Sequence, residues 1–412
     1  MALSASLVAL SALAFSHASR ASSHTNHSST FPACVASMDG QLPSATPADF
    51  EFSGTVRRYY IAAEEVEWNY APTGWDNWLG VPLNLSPRAN AVVGSYNTTY
   101  LKALYRGYTD DTFTQMSEQP PWQGTQGPTV RSEVGDMVEI MFVNKLSHNY
   151  ATMHSVGLAY NKMNEGGDSP PVASAVGPGE CAVYKWLANE GAGPNDNSPA
   201  WAHSYHSYVD LDIDLNSGLL GPQIVYASGQ MNATMLKYKE FSLLYMIYKE
   251  GQSFLSAANA QRLNGNHSAE AMSSKWGMLD TEHLWSGDYS SWHPQLVNMN
   301  SSYRFSGAAS FHTMNGYIFA NNPPFEMCQN DQAICYAYSY GGASHVFHMH
   351  GNGVMDDGRK QFSVSLNDGV SKTLYMSASD TGLWQVICHV SNHHQDGMVA
   401  NYLVKDSALC AK

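Results

Sequence analysis

The feature that most constrains this chain is a group of sulfur and imidazole side chains near its C-terminal end. Cys388 is followed by His393 five residues later and by Met398 ten residues later. One Cys and two His in a trigonal set, with Met as a weak axial ligand, form the copper sites that transfer electrons. We expect the missing histidine on a neighbouring strand, at His345. The predicted type 1 copper ligands are His345, Cys388, His393 and Met398.

The same two stretches carry more histidines than one copper needs. Successive side chains of a strand point to opposite faces, so His348 and His350 share one face while His345 points to the other. Cys388 and His389 diverge in the same way, and as covalent neighbours they would connect sites on the two faces. We therefore predict a second copper site on the face that carries His348, His350 and His389.

Composition favours a well-buried β protein rather than a disordered acidic chain. The chain has 412 residues, enough for two or three domains, and only 14% of its residues are charged. Its net charge of −14 argues against nucleic acid and anionic membranes as partners. No stretch after the N-terminus is apolar and long enough to span a bilayer.

The N-terminal end predicts secretion. An apolar run over Leu7–Phe15 precedes a small-residue region, so residues 1–19 are interpreted as a signal peptide and residues 20–50 as a flexible segment. Six Asn-X-Ser/Thr sequons agree with an extracellular glycoprotein. They are Asn26, Asn84, Asn97, Asn232, Asn266 and Asn300.

The number of cysteines adds one constraint on the disulfides. If Cys388 binds copper, five of the six cysteines remain, so at most two disulfides form within the chain and one thiol is left over. Cys328 and Cys335 are predicted to pair because they are close in sequence. The residues alone assign no partner to the other cysteines.

The two halves of the chain repeat one order of features, at a spacing of roughly 180–195 residues. The pairs are an opening strand (57–63 and 240–248), a turn (Gly135-Asp136 and Asn330-Asp331), a His stretch (His154 and 345–350) and a later His (His206 and Cys388-His389). Short strands with Gly and Pro turns predict an all-β fold of two tandem antiparallel Greek-key β-sandwich domains. The predicted boundaries are 51–229 and 239–412, with a linker at 230–238 and a helix within 253–275.

Several stretches resemble the ceruloplasmin and hephaestin type of multicopper oxidase, whose domains are cupredoxin-like sandwiches. The match runs from about residue 55 to 405 and is strongest in five segments. They are 59–70 (YYIAAEEVEWNY), 161–166 (NKMNEG), 193–196 (GPND), 217–222 (SGLLGP) and 312–317 (HTMNGY). The resemblance implies two tandem cupredoxin-like domains, the first without type 1 copper and the second with the complete set predicted above.

The resemblance also implies a second, reduced copper site. The family's trinuclear cluster uses eight histidines in four His-X-His pairs, and this chain keeps five of them. Val156, Tyr208 and Ile387 stand at the other three positions. By position, the remaining ligands are His154 and His348 for the type 2 copper, and His206, His350 and His389 for the type 3 pair. We expect type 1 copper plus one, or at most two, further coppers, and Tyr208 is either a weak ligand or a packing replacement.

The iron-oxidising site of that family is only partly retained. His312 is present, but Gly307 and Asn392 stand where the family pattern has acids. The positions therefore argue against iron oxidation of that type.

These observations predict a secreted copper oxidoreductase. The reductant is a small molecule or a metal ion, electrons pass through Cys388 and His389 to the second site, and O₂ is the expected acceptor. Two alternatives stay open. One is a non-catalytic copper-binding extracellular or carrier protein, and the other is a nitrite-reductase-like enzyme with type 1 and type 2 copper.

The ligands of the second site are divided between the two halves, which predicts an assembly. His154 and His206 belong to the first half, and His348, His350 and His389 belong to the second. Three chains arranged head to tail would close a ring and complete three sites, since cyclic closure satisfies every heterologous interface. The alternative is a monomer that never assembles the second site.

Overall fold

A computed structural model describes residues 30–93, 97–167, 175–195, 198–263 and 309–410 of the chain. The predicted signal peptide, three of the sequons (Asn26, Asn266 and Asn300) and Gly307 lie outside these ranges. No helix in the described ranges is long and apolar enough to cross a membrane.

The first half forms two facing four-stranded sheets. Their strand orders are β4-β1-β6-β8 and β5-β10-β9-β7, and β2 and β3 form a separate ribbon. The strands are β1 (Val56–Asn69), β2 (Trp75–Asp76), β3 (Val81–Pro82), β4 (Thr99–Tyr108), β5 (Val130–Glu133), β6 (Met137–Asn144), β7 (His154–Ser155), β8 (Cys181–Leu187), β9 (Ala200–His206) and β10 (Leu220–Tyr226).

The second half repeats the arrangement with larger sheets. Their orders are β12-β11-β14-β19-β16-β17 and β13-β21-β20-β15-β18. The strands are β11 (Tyr238–Lys249), β12 (Ser310–Met314), β13 (Phe325–Cys328), β14 (Gln332–Tyr340), β15 (His345–Met349), β16 (Val354–Asp356), β17 (Arg359–Gln361), β18 (Ser363–Leu366), β19 (Ser371–Ser377), β20 (Gly382–Cys388) and β21 (Val399–Lys405).

The helices in the described ranges are short and lie outside the sheets. They are α1 (Pro32–Ser37), α2 (Pro87–Val92), α3 (Leu211–Ser217), α4 (Met231–Lys237), α5 (Ser256–Leu263) and α6 (Ser391–Gln395). The helix predicted within 253–275 is present as α5 as far as the described residues extend. The predicted linker contains α4, and the domain boundaries themselves stay predictions.

The sheets are mixed rather than purely antiparallel, which corrects one detail of the predicted fold. Strand β1 runs parallel to β6, β5 to β10, β11 to β14, and β13 to β21. The cause is that β5 and β6, like β13 and β14, are consecutive in sequence but belong to different sheets. Each then pairs with a strand from a distant part of the chain, whose direction no hairpin fixes.

Equivalent turns confirm the internal repeat. Gly135 and Asn330 both adopt positive φ, 96° and 73°, at the point where the chain crosses between sheets. The aspartate that follows each turn accepts a backbone N–H from three residues earlier: Asp136 from Glu133 at 2.9 Å and Asp331 from Cys328 at 2.8 Å. The same hydrogen bond therefore closes the crossover in both halves.

The disulfides correct one prediction and confirm another. Cys34 pairs with Cys181 and Cys328 pairs with Cys410, while Cys335 and Cys388 are buried free thiols. The predicted Cys328–Cys335 bond is wrong because Cys335 lies inside β14 with its side chain in the core. The count of two disulfides with one thiol left over beside Cys388 is confirmed.

The described part of the predicted flexible segment, residues 30–50, is anchored to the first sandwich. Helix α1 carries Cys34, whose disulfide to β8 ties residues 32–37 to the first sandwich. Further along, Asp39 accepts a hydrogen bond from Lys185, and Glu139 accepts the backbone N–H of Gly40 at 2.9 Å.

A buried junction joins the two sandwiches. Aromatic rings from both halves form one core cluster, with Tyr70 stacked on Phe311 at a centroid distance of 4.3 Å. Within it, Lys102 of the first half donates to Glu250 of the second at 2.7 Å, and both side chains are buried. Removing one partner of such a pair leaves an uncompensated charge, at a cost of about 3–5 kcal/mol.

The junction also includes one very close backbone approach. Gly124 has φ of 65°, and a Cβ placed on it would lie 1.8 Å from the carbonyl oxygen of Asn315 in the second half. Asn315 in turn donates its side-chain amide to the carbonyl oxygen of Trp122 at 2.7 Å. Glycine is required here because any side chain would push the two segments apart.

Gly124→Ala should therefore lower the urea midpoint of unfolding much more than Gly229→Ala. Both glycines have positive φ, 65° and 72°, so both alanines carry backbone strain, but a Cβ at Gly229 meets nothing within 4 Å. The steric clash at Gly124 should add about 2 kcal/mol. Equal midpoints for the two variants would contradict the close approach.

Candidate metal centre

Two adjacent strands carry several of the predicted copper ligands. Strand β15 pairs antiparallel with β20, with Phe347 opposite Cys388. Side chains of β15 alternate in burial, so His345 is buried while His348 lies on the other, partly exposed face. The predicted division of histidines between the two faces follows from this pleat.

The structure brings three of the predicted type 1 ligands together. Cys388 Sγ lies 3.6 Å from His345 Nδ1 and 3.5 Å from His393 Nδ1, and the two Nδ1 atoms are 3.2 Å apart. A point equidistant from the three atoms is about 2.0 Å from each, close to the bond lengths of thiolate and imidazole ligands to such metals. The donor set therefore fits a trigonal copper.

The fourth predicted ligand, Met398, follows α6. Its backbone N–H donates to the carbonyl oxygen of His393 at 2.9 Å, and its own carbonyl accepts from Cys388 at 3.1 Å. Its side chain is fully buried in the same core as Cys388. The short helix thus returns the chain to the site within one turn.

Burial sets the protonation of the ligands. It lowers the pKa of His345 and of His393 to about 4, so both imidazoles are neutral near pH 7. Burial also raises the pKa of the Cys388 thiol, although the backbone N–H of Val346, 3.5 Å from Sγ, acts in the opposite direction. Copper binding must therefore displace a proton from this sulfur.

The histidines predicted for the second site form two groups, one in each half of the chain. In the second half, the ring of His348 lies 5.0 Å from that of His350 and 4.9 Å from that of His389. In the first half, His154 and His206 have ring centroids 5.4 Å apart. Among described residues, the one cluster of three His, Cys or carboxylate ligand atoms within 4.8 Å of one another is the type 1 set.

Backbone carbonyls orient three of these five histidines. The Nδ1 atoms lie 2.7 Å from Phe362 O for His348, 2.6 Å from Glu165 O for His154, and 2.9 Å from Ser207 O for His206. A carbonyl can only accept, so each Nδ1 carries the proton and Nε2 carries the lone pair. A backbone carbonyl that accepts from the Nδ1–H is common for a histidine that binds metal through Nε2.

Tyr208 and Val156 stand where the resemblance expects histidines. The Tyr208 ring lies 5.2 Å from that of His154 and 5.9 Å from that of His206, so it belongs to the first group. Val156 is 47% exposed and contributes no ligand. The phenol oxygen of Tyr208 is thus an additional donor beside His154 and His206.

The rim of the type 1 set includes His312, which the resemblance pointed out, together with two residues that the sequence did not single out. His312 packs its ring 5.0 Å from that of His393, and its Nε2 lies 4.0 Å from Asp396 Oδ2. Asp396 follows the exposed Asn392 by four residues around α6, a spacing that places both on one side of a helix. Trp78, from the first half, lies 5.6 Å from the ring of His394.

The charged side chain of Arg88 holds the ring of Trp78 in place. The guanidinium of Arg88 stacks 3.3 Å from the centre of its ring and donates two hydrogen bonds of 3.0 Å to Asp76. Asn77 adds a backbone hydrogen bond of 3.0 Å to Phe319 O in the second half. No sequence signal placed this loop at the site, because only the junction brings the two halves together.

Comparison with known proteins agrees with this geometry. A multicopper oxidase family model matches residues 288–408. Human ceruloplasmin is 30% identical over 374 residues, which cover 85% of this chain and 32% of ceruloplasmin. Residues 288–408 therefore form a multicopper oxidase domain.

The chain spans about a third of the length of the curated relatives it matches. Human hephaestin is 28% identical over 377 residues, covering 86% of this chain and 30% of hephaestin. The solved multicopper oxidase mgLAC is similar with a TM-score of 0.53 at 15% identity, over 87% of this chain and 88% of its own. The predicted fold class and the predicted cofactor, copper, are confirmed.

Cys388→Ser should abolish the blue colour of the oxidised, copper-loaded protein. The colour of type 1 copper comes from its thiolate ligand, and Cys388 is the one cysteine beside the two buried imidazoles. Cys335→Ala is the matched control, since it removes the other free buried thiol in the same core. Visible absorption that is lost in the control, or kept in Cys388→Ser, would contradict the assignment.

Copper loading of the type 1 set should release one proton per site. His345 and His393 are neutral above about pH 5, while the Cys388 thiol keeps its proton, so apparent affinity should rise about tenfold per pH unit from roughly pH 5.5 to 8. Competition with a chelator measures the slope, and Cys388→Ser should flatten it. A pH dependence that corresponds to two or three protons released per copper would show that the imidazoles are charged.

Proposed function

We propose that this protein is a copper-dependent oxidoreductase that takes single electrons from a small-molecule or metal-ion reductant. The observation that carries the proposal is the buried donor triangle of His345, Cys388 and His393, with sides of 3.2–3.6 Å. Copper bound there would supply one-electron redox chemistry. Entry at the His393 edge is supported by the rim residues His312 and Trp78, which reach the surface beside it.

The chain itself links the type 1 set to the second group of histidines. Cys388 belongs to the buried triangle, and its covalent neighbour His389 lies beside His348 on the other face. The pairing of β15 with β20 holds both faces in one register. Electrons delivered to Cys388 therefore have a route of one peptide unit to the second site, where O₂ is the proposed acceptor.

We further infer that the second site is completed between chains. Each half-set of histidines is bordered by exposed apolar side chains, as expected of an interface. Val156 (47% exposed) and Met163 (64%) follow His154 in sequence, and Phe362 (49%) holds Nδ1 of His348 through its carbonyl. Three chains arranged head to tail would bring the two half-sets together and close a ring.

We also infer that the chain is a secreted glycoprotein. The three sequons within the described ranges, Asn84, Asn97 and Asn232, are all exposed. Two disulfides are typical of proteins from oxidising compartments.

Anaerobic reduction followed by reoxidation tests the activity. Ascorbate should bleach the blue colour, and air should restore it with uptake of O₂, because the second site passes electrons on. Nitrite added in place of air tests the nitrite-reductase-like alternative. A coloured protein whose reduced form neither acceptor reoxidises would instead be a non-catalytic copper protein, and the proposal would fail.

Mixing two inactive variants tests the shared site. His154→Ala and His348→Ala should each keep type 1 copper and lose the second site. After unfolding and refolding together in equal amounts, about one quarter of the interfaces should combine two intact halves and regain second-site copper and O₂ uptake. No recovery on mixing would place the whole site within one chain.

The mass of the assembly is an independent measurement. Light scattering on the copper-loaded, deglycosylated wild type should give about three times the mass of one chain. The mass of a single chain, 45.1 kDa or slightly less at micromolar concentration, would rule out the ring.

A further inference from the structure

Arg106 on β4 is a cation without an ionic partner among the described residues. Lys102, four residues earlier on the same face of the strand, is neutralised by Glu250 at 2.7 Å. Arg106 forms no ion pair with any residue in the described ranges. The acid that acts on it electrostatically, Glu64, is already bound to Lys145 at 3.0 Å and to the hydroxyl of Tyr108.

Arg106 lines a cleft at the junction of the two sandwiches. The cleft has a volume of 420 Å³, within the range of small-molecule sites. Its walls include Trp68 and Tyr317, whose rings are 5.0 Å apart and inclined by 55°. Aromatic walls beside a guanidinium favour a ligand that is both planar and anionic.

The two aromatic walls are fixed by hydrogen bonds across the junction. Trp68 Nε1 donates to Gly316 O at 2.7 Å, and the Tyr317 hydroxyl donates to Pro121 O at 3.2 Å. Because each aromatic side chain has its polar atom bonded to backbone, the rings are held in place before any ligand arrives. Preorganised walls reduce the entropy lost on binding.

A second polar group lines the same cleft. Gly107, the next residue on β4, has no side chain, and a Cβ placed there would lie 2.3 Å from Ser117 Oγ. The Ser117 hydroxyl therefore occupies the space above Gly107 and lines the same cleft. A hydroxyl in the same cleft as the guanidinium provides an additional donor for an oxyanion.

We propose that this cleft binds a small aromatic carboxylate, with its carboxylate on Arg106 and its planar ring against Trp68 and Tyr317. The guanidinium fork matches a carboxylate with two parallel hydrogen bonds. Burial lowers the pKa of Arg106, the mark of a cation that loses hydration without gaining a partner. The site is separate from the copper ligands and does not depend on the proposed redox function.

Calorimetric titration of 2-naphthoate into the copper-loaded full chain at pH 7 tests the site. We expect saturable binding of one naphthoate per chain, and at least tenfold weaker binding of 2-naphthalenemethanol, which has the same ring without the charge. Arg106→Met should weaken naphthoate binding by at least tenfold, while the blue colour and the unfolding midpoint stay near those of the wild type.

Arg58→Met is the matched control. Arg58 lines the adjoining cavity, but its guanidinium is already paired with Glu139 at 2.8 Å, so its loss should leave naphthoate binding unchanged. If Arg106→Met does not fold, Arg106→Lys keeps the charge, loses the fork and should bind several-fold more weakly.

Four results would overturn the proposal. Three of them are no saturable binding of naphthoate to the wild type, equal binding of naphthoate and the alcohol, and an equal loss in Arg58→Met and Arg106→Met. Tighter binding of inorganic phosphate than of naphthoate would also overturn it, since that result assigns no role to the aromatic walls.

Discussion

The buried contact between the two sandwiches is the constraint on which the rest of this structure depends. The Lys102–Glu250 pair has no access to water and is surrounded by rings from both halves, so neither half can separate without exposing a charge and a large aromatic surface. With the two halves held together, the loop that carries Trp78 lies beside the type 1 set, and Arg106 faces the cleft at the junction. The junction thus positions groups that neither sandwich positions alone.

A second constraint is local and covalent. Because His389 directly follows Cys388, the last residue of β20, any metal on the sulfur and any metal on the imidazole are separated by one peptide unit. Pairing with β15 then adds His345 to one face and His348 to the other. The first half contributes its histidines on β7 and at the end of β9, and a second copy of the chain is the proposed means of bringing them to this face.

Much of the candidate site could be predicted from the sequence because its ligands follow strand periodicity and a short loop. The spacing from Cys388 to Met398 spans one strand end and one five-residue helix, so local geometry alone brings these residues back together. Asp396 and Trp78 could not be predicted in the same way. Asp396 reaches the site because it lies four residues after Asn392 around a helix, and the sequence pattern drew attention only to position 392. Trp78 reaches the site through a contact between two halves that are far apart in sequence.

The sequence by itself determined the repeat, the opening strands, the crossover turns and the ligand pattern, because each rests on local periodicity or on residues with special backbone preferences. Tertiary structure alone decided the disulfide partners and the direction of the paired strands. Cys335 is close to Cys328 along the chain, but it points into the core, while Cys410 arrives after β21 has paired in parallel with β13. Once the chain has crossed between sheets, the separation of two residues in sequence no longer indicates which strand ends are neighbours in space.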